Sequence, residues 1–310
     1  MSIRVFFSGT PSMTAGQKYQ LGTLIKRRLN SCHGDYLREA LLWGDIISRP
    51  ESTIEEWMLD SGAFTAWSRG DTITLASVIQ NYERALSIQK KDIPVWLINL
   101  DVIPGKRGKD PSSEEIHHAM RQSDKNFLTL VNHFGHRVLP VFHQGESQSR
   151  LEEVRQQSNY IGISPRNDLP ENARVRWSAQ VHDSLGSTHS HGLAATGAAM
   201  LRQVPWWSVD SASWLYSAAM GGIDLLVEGK LVTIGMSTRN AGRYCLDAHF
   251  DTLSEQHRTV VLERIHQYGL SVDGLRETAN ERVFFCIREN QRWVDDLLCA
   301  PVLQETLFPL

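Results

Sequence analysis

Glu56-Trp57-Met58-Leu59-Asp60-Ser61-Gly62-Ala63-Phe64 is an apolar run that stops on a carboxylate and a glycine. Its first residues read as a buried strand, and Asp60-Ser61-Gly62 as the polar end of that strand. The same design recurs on both sides. Residues 4–9 form such a run upstream, and residues 95–102, 137–145, 159–165, 188–197 and 206–214 follow downstream, with a weaker eighth run at 225–235. Residues 75–89, 113–134, 147–157 and 171–185 between them carry helical patterning, and Pro111-Ser112-Ser113 is a start signal for the second of these.

Alternation of strand and helix is the signature of parallel βαβ units. About eight such units in about 250 residues match an α/β protein of the (β/α)8 TIM-barrel class. A doubly wound open sheet is the alternative, but no GxGxxG follows the first strand, so a dinucleotide site has no support. The expected division is a barrel catalytic domain over residues 1–272 and a helical extension over 273–310, in which 291–299 reads as a helix.

Of the 310 residues, 41% are hydrophobic and 22% charged, which excludes a disordered chain. No run reaches the roughly 18 apolar residues of a membrane span, and the opening MSIRVFF lacks the pattern of a secretory signal, so no membrane partner is expected. Cys32, Cys245, Cys286 and Cys299 stand far apart without a CxxC pair, which suits buried thiols in a reducing cytoplasm. The 32 Lys and Arg against 35 Asp and Glu give a formal net charge of −3. A nucleic-acid partner would therefore have to be held by a local patch.

Barrel active sites lie at the carboxyl ends of the strands. Here those ends carry Asp60-Ser61-Gly62, Asp101, His143-Gln144-Gly145-Glu146, Gly162-Ile163-Ser164, His189-Ser190-His191 and Asp210-Ser211. A carboxylate at an apolar strand end loses solvation unless it is paired or bound, so Asp60, Asp101 and Asp210 together point to chemistry. Paired carboxylates suit substitution at an anomeric carbon.

The order of these motifs resembles that of the tRNA-guanine transglycosylases, and more closely the shorter DNA-acting branch of phages and bacteria that inserts 7-deazaguanines. Asp60-Ser61-Gly62-Ala63-Phe64 is similar to the family's Asp-Ser-Gly-Gly-Phe, and His143-Gln144-Gly145 to its Val-Gln-Gly strand end. Gly162-Ile163 is similar to a Gly-Leu backbone contact, residues 191–197 to a Gly-rich strand, and Asp210-Ser211 to the nucleophile segment. The likeness spans roughly residues 50–215. It implies Asp210 as nucleophile and Asp60 as general acid/base. It also implies Ser61, Phe64, Asp101, Gln144, Gly162 and His191 around a guanine-type base, with no cofactor. The partners implied are DNA, or tRNA as the alternative, and a free 7-deazaguanine such as 7-cyano-7-deazaguanine. The attacked nucleotide would be flipped out of its helix.

Lys106, Arg107 and Lys109 follow Asp101 closely and are candidates for phosphate contacts, with Arg166, Arg239 and Arg243 as weaker ones. Trp67, Trp206, Trp207 and Trp214 are candidate stacking aromatics, although Trp206 and Trp207 also suit a core. Two departures stand out: Ala63 replaces the motif's second glycine, and Ser211-Ala212-Ser213-Trp214 replaces a Pro-Thr-Arg. The CxCxxC…His zinc motif of the tRNA enzymes is missing, which favours DNA. Two readings compete: a metal-dependent barrel hydrolase using His189, His191, His143 and Asp210, and a nucleobase-binding barrel without chemistry.

Overall fold

The computed structural model describes residues 3–106, 108–195, 197–238 and 248–299. The chain separates into two compact units. One is Val5–Tyr216; the other begins at Ser217 and takes in the N-terminal residues through Arg4. This boundary falls well before the expected division at residue 272.

The first unit is an α/β fold built on a nearly closed, parallel, TIM-barrel-like sheet of nine strand segments, in the order β5-β4-β3-β2-β1-β9-β8-β7-β6. The strands are β1 (Arg4–Phe7), β2 (Arg27–Ser31), β3 (Glu56–Asp60), β4 (Val95–Ile98), β5 (Val138–Leu139), β6 (Val141–His143), β7 (Tyr160–Ser164), β8 (His189–Gly192) and β9 (Ser208–Ser211). β5 and β6 stand at opposite ends of that order yet are separated in sequence by Pro140 alone. Proline has no N–H to give to a ladder, so the strand breaks there. Its carbonyl still accepts from Gly162 N–H at 2.8 Å, while Leu139 O accepts from Asn99 N–H at 2.9 Å. The two flanks of the sheet therefore meet across one residue.

Phe6, Leu29, Met58, Ile98, Leu139, Val141 and Tyr160 form one buried cluster, one residue from each of β1 to β7. Alternation of side chains along each strand sends one set into this interior and the other toward the surrounding helices. Helices intervene between strands: α1 (Ala15–Gly22), α2 (Tyr36–Ser48), α3 (Ala63–Arg69), α4 (Leu75–Ile88), α5 (Ser113–Phe134), α6 (Gln148–Gln157), α7 (Glu171–Asp183) and α8 (Ala198–Gln203). Polar caps start several of them. In α5, Ser112 and Glu115 form a reciprocal capping box, as the Pro-Ser-Ser signal suggested; Thr74 caps α4 and Ser147 caps α6.

One expected strand is corrected. Residues 225–235 are not a barrel strand: they belong to β10 (Gly222–Val227) and β11 (Lys230–Gly235), an antiparallel hairpin in the second unit. Glu228 and Gly229, both with positive φ, make its two-residue turn. The barrel strand missing from the sequence reading is β2, Arg-Arg-Leu-Asn-Ser, whose polar residues hide its burial. Arg28 is 1% exposed, donates to the carbonyls of Phe7 (2.9 Å) and Gly9, and lies 4.4 Å over the Trp43 ring. Asn30 accepts from Trp57 Nε1–H at 3.0 Å.

In the second unit α9 (Ser213–Ala219), which starts before the boundary, leads into the hairpin, followed by α10 (Glu255–Gln267), α11 (Val272–Glu277) and α12 (Ala279–Cys299). The helix expected at 291–299 is the second half of α12. The fully buried Glu289 of α12 accepts from Leu226 N–H and from Arg264 Nη1, each at 2.7 Å, tying hairpin to helices. Among the described residues, no helix is long and apolar enough to cross a membrane.

Candidate active site

A cavity of about 490 Å³ opens in the first unit where the strands end, and Asp60, Asp101 and Asp210 all line it. Phe64, Gln144, Lys106 and Lys109 line it as well. Three acids that are 41 and 109 residues apart in sequence thus meet because parallel strands deliver their carboxyl ends to one side.

Asp60 ends β3, and its Oδ2 accepts from Gly62 N–H at 3.1 Å. Burial first, then the charges of Asp101 and Asp210, push its carboxyl up to about 7, against the opposing pull of Gly62 N–H and the Ser31 hydroxyl. Gly62 precedes α3 with φ +87°, and a Cβ there would lie 2.1 Å from His33 Cβ. Gly62→Ala is therefore expected to cost about 1–3 kcal/mol in urea unfolding and to displace the N–H that holds Asp60. A variant as stable as the parent would show that this turn is not strained by a side chain.

Asp101 sits three residues beyond β4 and is 8% exposed. Its segment is pinned to α5: Asn99 Nδ2 donates to Ser123 O (3.0 Å), Val102 N–H to Ser123 Oγ (2.8 Å), and Asn126 Nδ2 to Leu100 O (2.7 Å). Asp101 Oδ2 lies 2.8 Å from His143 Nε2, and both side chains are buried. Burial opposes charge on His143, but the hydrogen bond and charge of Asp101 outweigh it and raise the imidazole above its usual range.

Asp210 lies in β9, and its Oδ1 accepts from Ala194 N–H at 2.8 Å; Ala194 takes the left-handed conformation at φ +51°. His191 Nε2 stands 3.7 Å from the same oxygen and makes no hydrogen bond. The other His191 nitrogen, Nδ1, lies 2.7 Å from Ser208 Oγ, which is 2.6 Å from the Tyr160 hydroxyl. His191 thus stands behind the carboxylate, fully buried, and does not line the cavity. Among the described residues Asp210 Oδ2 has no hydrogen-bond partner.

Gln144 Oε1 accepts from Arg166 N–H at 2.9 Å, which leaves its amide NH2 as the free group. Phe64 is 52% exposed, and its ring centroid is 5.8 Å from that of Trp67, whose Nε1–H donates to Gly105 O at 2.9 Å. Those two aromatics wall one side of the cavity.

Other sequence candidates lie elsewhere. Ser61 is buried, donating to Asn99 O at 3.0 Å, and does not reach the cavity. The Gly162 N–H is already spent on Pro140 O within the sheet, so it is not free for a base; Ser164 of the same strand lines the cavity instead. Trp206 and Trp214 are core residues, the latter donating to Ser8 O at 3.0 Å, and Trp207 stacks on His189 at 3.7 Å. Only Trp67 of the four lines the cavity. Arg166 lines it but is engaged by Asp168 at 2.8 Å and by Asp110. Arg107, Arg239, Arg243 and Cys245 lie outside the described residues.

Among the described residues, no three His, Cys, Asp or Glu side chains gather so as to hold a metal ion. The histidines of the hydrolase reading are dispersed: His143 on Asp101, His191 on Ser208, His189 on Trp207. Cys32 and Cys286 are buried, and burial pushes both thiols up, away from the thiolate a zinc ion needs. Nothing local in the sequence signals the contact between His143 and Asp101; the only cue is that His143 stands beside Gln144 at a strand end. No protein-family model matches this chain, and no curated protein matches it either.

Proposed function

We propose that the chain is a base-exchanging transglycosylase acting on guanine in DNA and inserting a 7-deazaguanine. The observation that carries this reading is the convergence of Asp60, Asp101 and Asp210 on one cavity. Counting β5 and β6 as one strand broken at Pro140 makes the sheet the eight-stranded ring of a (β/α)8 barrel, with the acids at its catalytic face.

Asp210 is the nucleophile. With Oδ1 held by Ala194 N–H, Oδ2 is the oxygen available to attack the anomeric carbon. The bond from sugar to purine breaks, its electrons leave with the base, and protonated Asp60 supplies the proton. The incoming 7-deazaguanine gives its N9 proton to Asp60, its N9 attacks the same carbon, and the carboxylate leaves. Two inversions restore the configuration. Asp101 accepts from the guanine N1–H and 2-amino group, and the Gln144 amide donates to O6. Adenine would leave these groups unpaired. Phe64, half out of the protein, is the face on which a flipped base stacks. Lys106 and Lys109 stand at the rim for phosphates.

DNA is favoured over tRNA because the tRNA enzymes' zinc motif is missing from the sequence. The test offers double-stranded DNA and tRNA in one assay with radiolabelled guanine or 7-cyano-7-deazaguanine. Label entering DNA is the expected result. Label entering tRNA alone overturns the choice of polymer, and label entering neither overturns base exchange.

A further inference from the structure

Three carboxylates share one cavity, and like charges so placed do not all stay ionised. Which of them holds the proton matters to the chemistry. A protonated Asp60 can act as an acid, but a protonated Asp101 would become a donor and cease to distinguish a guanine edge from an adenine edge. The three acids differ in their partners. Asp60 has an N–H and a hydroxyl, Asp210 a backbone N–H, whereas Asp101 alone faces an imidazole at hydrogen-bond distance.

Resting on the base-exchange reading, we propose that His143 is a positioning residue for base selection: it donates to Asp101 Oδ2, keeps Asp101 an acceptor, and so assigns the shared proton to Asp60. Asp101 Oδ1 has no hydrogen-bond partner among the described residues and is the oxygen left for the base. The charged groups facing His143 are Asp101 beyond β4, Glu146 in the turn after β6, and Arg150 of α6. Glu146 Oε2 accepts from the His143 backbone N–H at 2.8 Å, which fixes the end of β6. Arg150 is occupied by Asp124 at 2.6 Å and Glu153 at 3.2 Å, so it adds little repulsion. Asp60 acts on the pair from β3 through Asp101.

The test measures free guanine binding by calorimetry in the parent, His143→Leu and His143→Gln. His143→Leu takes the donor away from Asp101 and is expected to bind about tenfold more weakly. His143→Gln keeps an amide donor to Asp101 and is expected to stay within about threefold of the parent. An equal loss in both variants, as a packing defect would give, or no loss in His143→Leu, overturns the proposal. NMR titration of the His143 imidazole in ligand-free protein supplies a second readout. It is expected to titrate above the ordinary range and to move down when Asp101→Asn removes the partner charge; an unchanged titration overturns the pairing. Failure of the parent to bind guanine counts against the base-exchange reading, and the NMR arm still decides whether His143 holds Asp101.

Discussion

Asp210→Asn is expected to lower guanine exchange by about 10⁴-fold or more while leaving the fold intact. An asparagine carbonyl can still accept from Ala194 N–H, so the loop after β8 keeps its anchor. On the proposed mechanism, what disappears is the anionic oxygen that would form the bond to the sugar. The neighbouring His191 is buried and bound to Ser208, and it offers no substitute nucleophile at the cavity. Guanine binding should survive, because the residues assigned to the base are Asp101, Gln144 and Phe64. An exchange assay paired with calorimetry separates the two effects; near-normal turnover in this variant would mean that another group attacks.

The second large effect belongs to Asp60→Asn, which is expected to slow exchange by about 10²–10⁴-fold by removing the acid and base for the purine. In the proposed mechanism the half-reaction that expels guanine needs Asp60 protonated, so the parent's rate should fall as pH rises through about 7. Stability should move the other way. The folded carboxyl titrates near 7 and the unfolded one near 3.8, so between those values the folded state binds more protons. Parent stability from this group is full below about pH 4 and declines as pH rises to about 7. Asp60→Asn has no such decline and should gain on the parent by up to a few kcal/mol between pH 5 and 8. Urea unfolding at both pH values checks this, and a pH-independent difference would place Asp60 in an ordinary solvated setting.

The barrel-like sheet was legible because most strands are apolar runs with a polar end, and parallel packing buries the runs on both faces. β2 escaped because Arg28 and Asn30 look like surface residues until Phe7, Gly9, Trp43 and Trp57 are placed around them. Residues 225–235 deceived for the opposite reason: their β-branched pattern fits any strand, and only pairing tells a hairpin from a barrel stave. The three aspartates were readable since each follows a run, and strand direction alone carries them to one side. Contacts set by register were not. Nothing local in Gly162 says that its N–H meets Pro140, nor in His143 that it meets Asp101, 42 residues upstream.

The proposed mechanism requires a transient bond between Asp210 and deoxyribose. Mass spectrometry of denatured protein, after incubation with guanine-containing DNA and no incoming base, tests it directly. The predicted result is DNA attached covalently to the peptide containing Asp210, and lost in Asp210→Asn. Attachment to a different peptide, or base exchange proceeding with no adduct detectable, would contradict it.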